Sequence, residues 1–130
     1  MKIVVLKFGG TSVGTITKIK KAADIITEYK KKNYRVIVIS SAMSGVTNEL
    51  IKKSKGISKN FSEAEYDVLV SSGEQVACSL IAGRLIHKGF KSRSWLAWQI
   101  PILTKGPHKN SKIHLINKKK ISDYLREGGI

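Results

Sequence analysis

Lys7-Phe8-Gly9-Gly10-Thr11-Ser12-Val13 places a cation, two bare stretches of backbone and two hydroxyls within one short segment. Glycine accommodates φ > 0 and lets an anion approach backbone N–H groups closely, and hydroxyls add further donors. The segment follows Ile3-Val4-Val5-Leu6. That run is continuously apolar, the pattern of a strand in a parallel sheet covered on both faces. Open α/β sheets bind ligands at the carboxyl edge of their strands. A helix starting near Thr15 turns its positive end toward the same place. The chemistry is that of a phosphate cradle. The Walker A spacing, two glycines and then Lys-Ser/Thr, is absent.

Further along, Ser40 ends the second apolar run, Tyr34-Arg35-Val36-Ile37-Val38-Ile39, so its hydroxyl reaches the same edge. Thr47 and Asn48 follow Gly45 at a predicted helix start, where hydroxyl and N–H groups can hold a carboxylate. Glu74 follows Gly73 inside an apolar stretch, and a carboxylate there can receive an ammonium group. Each has a plainer reading. Lys7 could be a surface strand-end residue, Gly9-Gly10 a tight turn, Thr47 an N-cap, and Glu74 a first-turn acid favoured by the helix dipole. Cys78 shares an apolar face with Val76, Ala77 and Leu80, as a packing residue does. His87, His108 and His114 lack metal-ligand spacing, so no structural metal is expected.

The elements that must position these residues read as an α/β alternation. Ile16, Ile19, Ala23 and Ile26 recur at helical spacing and predict an amphipathic helix over 15–32, stopped at Asn33. With its flanking strands this makes a strand–helix–strand unit and hence a parallel pair. A helix over about 47–55 follows, then a polar loop over 55–60. Ser62-x-x-Glu65 is a capping-box signature. The apolar pattern from Tyr66 to Leu85 is interrupted at Ser71–Gly73, which predicts two helices broken there. Lys91–Leu96 reads as a third strand, residues 105–112 as a loop or hairpin tip, and Ile113–Ile116 as a short strand. A last helix is capped by Asn117 and closed by Gly128-Gly129, and Ile130 falls where a next strand would begin.

Three blocks, Lys7–Val13, Ser40-Ser41-Ala42-Met43-Ser44-Gly45-Val46-Thr47-Asn48 and Ser71-Ser72-Gly73-Glu74-Gln75-Val76, resemble in order the signatures of aspartokinases, members of the amino-acid-kinase superfamily. The resemblance runs from residue 1 to about residue 126. It implies a three-layer α/β sandwich with a mainly parallel sheet, truncated at its C-terminal end. Residues 1–130 would be the N-terminal portion of a catalytic domain, without the half that holds the ATP base and without regulatory domains. It implies transfer of the γ-phosphoryl of ATP to the side-chain carboxylate of L-aspartate, the first step towards lysine, threonine and methionine, with Mg²⁺ carried by the nucleotide. Lys7 would be catalytic, with Gly9, Gly10, Thr11, Ser12 and Ser40 at the phosphates. Thr47, Asn48 and Glu74 would hold aspartate, Glu74 at its α-amino group. The chain departs from the family at Ala97, where a glycine is common, and over 105–112, where acidic residues are usual and Lys-Gly-Pro-His-Lys-Asn-Ser-Lys stands. An inactive remnant, half of a split enzyme completed by a second chain, or a homo-oligomer fits the same resemblance.

The bulk numbers narrow the classes. A chain of 130 residues suffices for one domain with a core. No apolar stretch approaches the roughly 20 residues that span a bilayer, so no membrane partner is expected. A single cysteine allows no intrachain disulfide, which fits a cytoplasmic setting. Twenty-four Lys and Arg against nine Asp and Glu give a net charge of +15, a balance that can mark nucleic-acid binding. The lysine runs 30–32, 52–53 and 118–120 are scattered, however, and no aromatic residues interleave with them as stacking platforms would. A solvated basic surface is the expectation.

Overall fold

The computed structural model describes residues 2–130. Strand β1 (Ile3–Phe8) passes through a 3-10 turn (Gly10–Ser12) into helix α1 (Ile16–Lys31) and then strand β2 (Arg35–Ser40). The strands pair in parallel, with Lys7 opposite Ile39 and Phe8 opposite Ser40. Thr15 Oγ1 accepts from the Lys18 N–H at 3.2 Å and caps α1. Asn33 ends the helix in the left-handed region at φ 64°.

The register puts alternate residues on opposite faces of the pair. Val4, Leu6, Phe8, Val36 and Val38 pack with Ile19, Ala22, Ala23 and Ile26 of α1, and with Ile81 and Leu85 of helix α3 (Glu63–His87). On the other face Ile3 and Val5 stay 57% and 58% exposed. The expectation of two covered faces therefore holds on one face. Helix α4 (Lys119–Arg126) also reaches β2.

Helix α2 (Val46–Ile57) runs past the start of the loop expected from residue 55. Helix α3 is continuous through Ser71–Gly73, contrary to the predicted break. The serine hydroxyls donate within the helix, Ser71 to Val68 O at 3.0 Å and Ser72 to Leu69 O at 2.7 Å, so neither competes with its backbone. Gly73 is buried against Ala42, Val46 and Leu50, and its missing side chain admits those neighbours rather than ending the helix. Ser62 precedes α3 without a side-chain cap bond, so the capping box does not form.

Residues 91–96 form no strand of a sheet, although Lys91–Arg93 are bonded to Ile130. Strands β3 (Ile102–Lys105) and β4 (Lys112–Ile116) make an antiparallel hairpin whose tip is the segment expected to be a loop or hairpin tip. The described strands are thus one parallel pair and one separate hairpin, where a single mainly parallel sheet was expected. The Asn117 side chain accepts from the Lys119 N–H at 3.1 Å at the start of α4. Gly128 closes that helix at φ 83°.

Candidate functional site

The carboxyl ends of β1 and β2 lie side by side, and the Ser41 N–H donates to the Phe8 carbonyl at 3.0 Å to hold the two exits together. Around this junction the three blocks meet. A Cβ added to Gly10 would lie 2.9 Å from the Ala42 carbonyl oxygen, and one added to Gly14 would lie 2.9 Å from Ser44 Cβ. A Cβ on Gly73 would lie 2.9 Å from Ala42 Cβ. The Ala42 N–H donates to Glu74 Oε1 at 3.4 Å. Small residues from two distant segments, Gly10 with Gly14 and Gly73, therefore clasp one loop, 41–45.

Within this clasp the glycines have separate tasks. Gly9 and Gly10 do not use positive φ, contrary to one part of the sequence reading. Gly10 is there for close approach to Ala42. Gly9 has open space where a Cβ would stand, so its backbone faces an unfilled position. Positive φ is used at Gly45, 84°, where the chain turns from the loop into α2.

Lys7, on the next-to-last residue of β1, points to the face opposite α1, and its side chain is exposed. Among the described residues its ammonium makes no ion pair. Thr11 and Ser12 are exposed in the 3-10 turn; the capping of α1 belongs to Thr15 instead. Ser40 Oγ donates to the Ser41 carbonyl at 3.0 Å, so it meets an anion as donor only after rotating. The cap position of α2 is Gly45, which makes Thr47 and Asn48 the second and third helical residues. The N-cap reading of Thr47 therefore fails. Backbone N–H groups of a first helical turn have no partner inside the helix, and those of Thr47 and Asn48 are among them.

Glu74 stands in the middle of α3, so the first-turn reading fails as well. It is half-buried, and it differs from most acids of the chain. Asp24, Glu28, Glu63, Asp67, Asp123 and Glu127, six of nine, are committed to ion pairs. Glu74 instead touches a backbone N–H of the loop, with its second oxygen uncommitted in the described contacts. Gly14 and Ala42 were not singled out as site residues from sequence. Their signal was small size at contact positions, which a single sequence shows only once the contacts are known.

Cys78 is half-buried; its Sγ lies 3.3 Å from the Gln75 carbonyl, and burial pushes its pKa up, the state of an inert packing thiol. Among the described residues no three His, Cys, Asp or Glu side chains gather as a metal site. The basic tip 105–112 meets acids on α3: His108 Nδ1 lies 2.6 Å from Asp67, and Lys109 Nζ lies 3.4 Å from Glu63 and over the Tyr66 ring. Lysine and histidine in place of the family's acids thus have partners.

A family model described as the amino acid kinase family matches residues 2–130, and the chain belongs to that family. Within it, the chain corresponds to the N-terminal portion of aspartokinases. It is 46% identical over 129 residues to an aspartokinase of Rickettsia felis, an alignment covering 97% of this chain and 32% of the relative. It is 41% identical over 130 residues to aspartokinase 2 of Bacillus subtilis, covering 100% of this chain and 32% of that one. The chain spans about a third of the length of these relatives, 32%. The aspartate kinase of Synechocystis superposes with a TM-score of 0.79 at 29% identity, over 98% of this chain and 21% of that one. E. coli aspartokinase III, solved in complex with aspartate and ADP, superposes at 0.81 with 21% identity over 98% and 39%, a likeness of fold.

Proposed function

We propose that this chain carries the phosphate-facing and aspartate-facing part of an aspartate kinase. The observation that supports the reading best is the clasp itself, which brings the Gly9-Gly10 turn, the 41–45 loop and Glu74 to one sheet edge. In the reaction the bond between the γ-phosphorus and the β,γ-bridging oxygen breaks. A side-chain carboxylate oxygen of aspartate bonds to that phosphorus, giving 4-phospho-L-aspartate and ADP. Two anions must approach, so the task of the protein is positioning and charge neutralisation. Lys7 offers the cation at the transferred group. The open backbone at Gly9, with Gly10, Thr11, Ser12 and Ser40, suits phosphate oxygens. Thr47 and Asn48 offer donors to a carboxylate, and the free oxygen of Glu74 offers an acceptor to the α-ammonium. Mg²⁺ bound with the nucleotide supplies charge neutralisation on the phosphates. A cytoplasmic place in lysine, threonine and methionine synthesis accompanies this reading.

The one-third coverage favours a second statement: these residues form one side of the cleft. The rest of the cleft corresponds to the part of those relatives that residues 1–130 do not match. Nucleic acid is not favoured, since the lysine runs sit on separate elements, at the end of α1, on α2 and at the start of α4. The test is ATP-dependent formation of aspartyl phosphate, trapped as its hydroxamate, together with direct aspartate and ATP binding. Lys7→Ala is expected to abolish nucleotide engagement and Glu74→Ala aspartate engagement, both with unchanged circular dichroism. Parent-like binding of both ligands by both variants overturns the site assignment. Turnover by the isolated chain overturns the need for a second side.

A further inference from the structure

At 3.6 residues per turn, positions 63, 67 and 74 of α3 fall within about 40° of one another. Glu63, Asp67 and Glu74 therefore share one face of the helix, while Glu65 falls on the far side. Further on, the same face carries Ile81 and Leu85, which pack in the main core with the two strands. Glu74 stands two turns before Ile81 and meets the Ala42 N–H, just past the end of β2. The first half of the face thus runs out beyond the sheet edge. Asp67 lies about 10 Å and Glu63 about 16 Å further out along the helix axis than Glu74.

The hairpin tip meets the outer two acids and leaves the third. Asp67 lies 2.6 Å from His108 Nδ1 and accepts from the Lys109 N–H at 3.2 Å. Glu63 lies 3.4 Å from Lys109 Nζ, which also sits over the Tyr66 ring. Residues 97–120 hold six lysines and no acid, so nothing on the hairpin competes for that cation. Glu74 has no cationic partner among the described residues.

We propose that the basic tip sets the affinity for aspartate by neutralising Glu63 and Asp67, so that Glu74 alone presents charge on this face. This deepens the reading above and rests on Glu74 as the seat of the α-ammonium. Aspartate brings two carboxylates and one ammonium, one net negative charge. Its ammonium is drawn to Glu74, while its carboxylates are repelled by each uncompensated acid within a screening length. His108 and Lys109 act through the acids they hold rather than on the ligand. Their exposed pairs tie down the hairpin weakly, yet charge felt across about 10–16 Å needs no rigid geometry.

Aspartate affinity of the 130-residue chain is measured by calorimetric titration at about 10 mM and about 0.5 M salt. The variants are Lys109→Gln, Lys109→Glu, and Lys109→Glu combined with Glu63→Lys, and Glu74→Ala checks the underlying reading. Lys109→Glu changes the local charge by two units. It is expected to weaken aspartate about threefold at the lower salt, where charges act over about 30 Å. Lys109→Gln should fall between it and the parent, and the exchanged pair should return to the parent's affinity. At the higher salt all should converge. A loss that persists there, or that is equal for glutamine and glutamate, marks a role through shape and overturns the inference. So does parent-like affinity of both single variants at low salt, or an exchanged pair as weak as Lys109→Glu. Aspartate binding that Glu74→Ala leaves intact overturns the α-ammonium reading, and this inference with it, whatever the tip variants do. No binding by the parent overturns both.

Discussion

Two glycines of the clasp differ in why they are glycines, and substitution separates the reasons. At Gly73 an added methyl lies 2.9 Å from Ala42 Cβ and 3.3 Å from Val46 Cγ1, inside a packed helix–loop contact. Overpacking of this kind costs about 1–3 kcal/mol, while replacing a mid-helix glycine by alanine returns about 1 kcal/mol of propensity. Gly73→Ala is expected to lose about 1 kcal/mol in urea unfolding and to weaken aspartate engagement, because Glu74 must move with it. At Gly45 there is open space, but φ is 84°. Gly45→Ala is expected to lose roughly 1–2 kcal/mol from backbone strain alone. Unchanged midpoints for both variants would deny that close approach and left-handed backbone shape the loop. The glycines themselves were legible in the sequence, since small and hydroxyl residues cluster around them. The division of labour among the glycines was not, because steric room depends on partners some thirty residues away.

At the scale of elements, strands and helices with a single apolar face were readable, and β1, α1, β2 and α2 lie within a few residues of expectation. What misled was α3. Ser71-Ser72-Gly73 carries the composition of a break, yet tertiary contact with the 41–45 loop overrides it, and the hydroxyls bond back within the helix. The third strand was misplaced for a related reason. Lys91–Leu96 is strand-like in composition, but a strand exists only with a neighbour, and Ile130 supplies one residue of it. The hairpin shows how an exposed element is anchored by charge. Its tip reaches α3 through Asp67, which pairs with His108 and accepts from the Lys109 N–H at 3.2 Å. These groups are well exposed, so the pair contributes no more than about 1 kcal/mol to global stability. Asp67→Ala is expected to leave the unfolding midpoint nearly unchanged. Limited proteolysis at 105–112 should accelerate about twofold, because Lys109 with Glu63 and the Tyr66 ring is left to hold the tip against α3. Unaltered cleavage would mean that β3–β4 pairing and those contacts alone fix the tip.

At the scale of the molecule, a net charge of +15 must be accommodated by a fold with nine acids. Most of the excess lies in solvent, where salt screens it, and the few acids are placed between elements as well as along them. Asp24 of α1 pairs with Lys88, the residue that ends α3, and so joins the two helices that cover the sheet. The hydrogen bond from Lys88 holds the Asp24 carboxyl below its ordinary pKa, with the charges of Lys88, Arg84 and Lys31 adding to it. A carboxylate with a depressed folded-state pKa stabilises the fold fully above its unfolded value. That stabilisation is lost as the pH falls through the folded value. Asp24→Asn removes this dependence, and leaves the partly buried Lys88 side chain with only a neutral amide to meet. The thermal midpoint of the variant is expected to lie below the parent's at pH 7. The gap should hold above the ordinary carboxylate range and shrink as the pH falls through the lowered folded-state value of Asp24, where the parent protonates too. A gap that stays constant across this range would show that Asp24 acts through shape rather than charge, and that the helices are held together by Ile19, Ala23, Ile26, Ile81 and Leu85 alone.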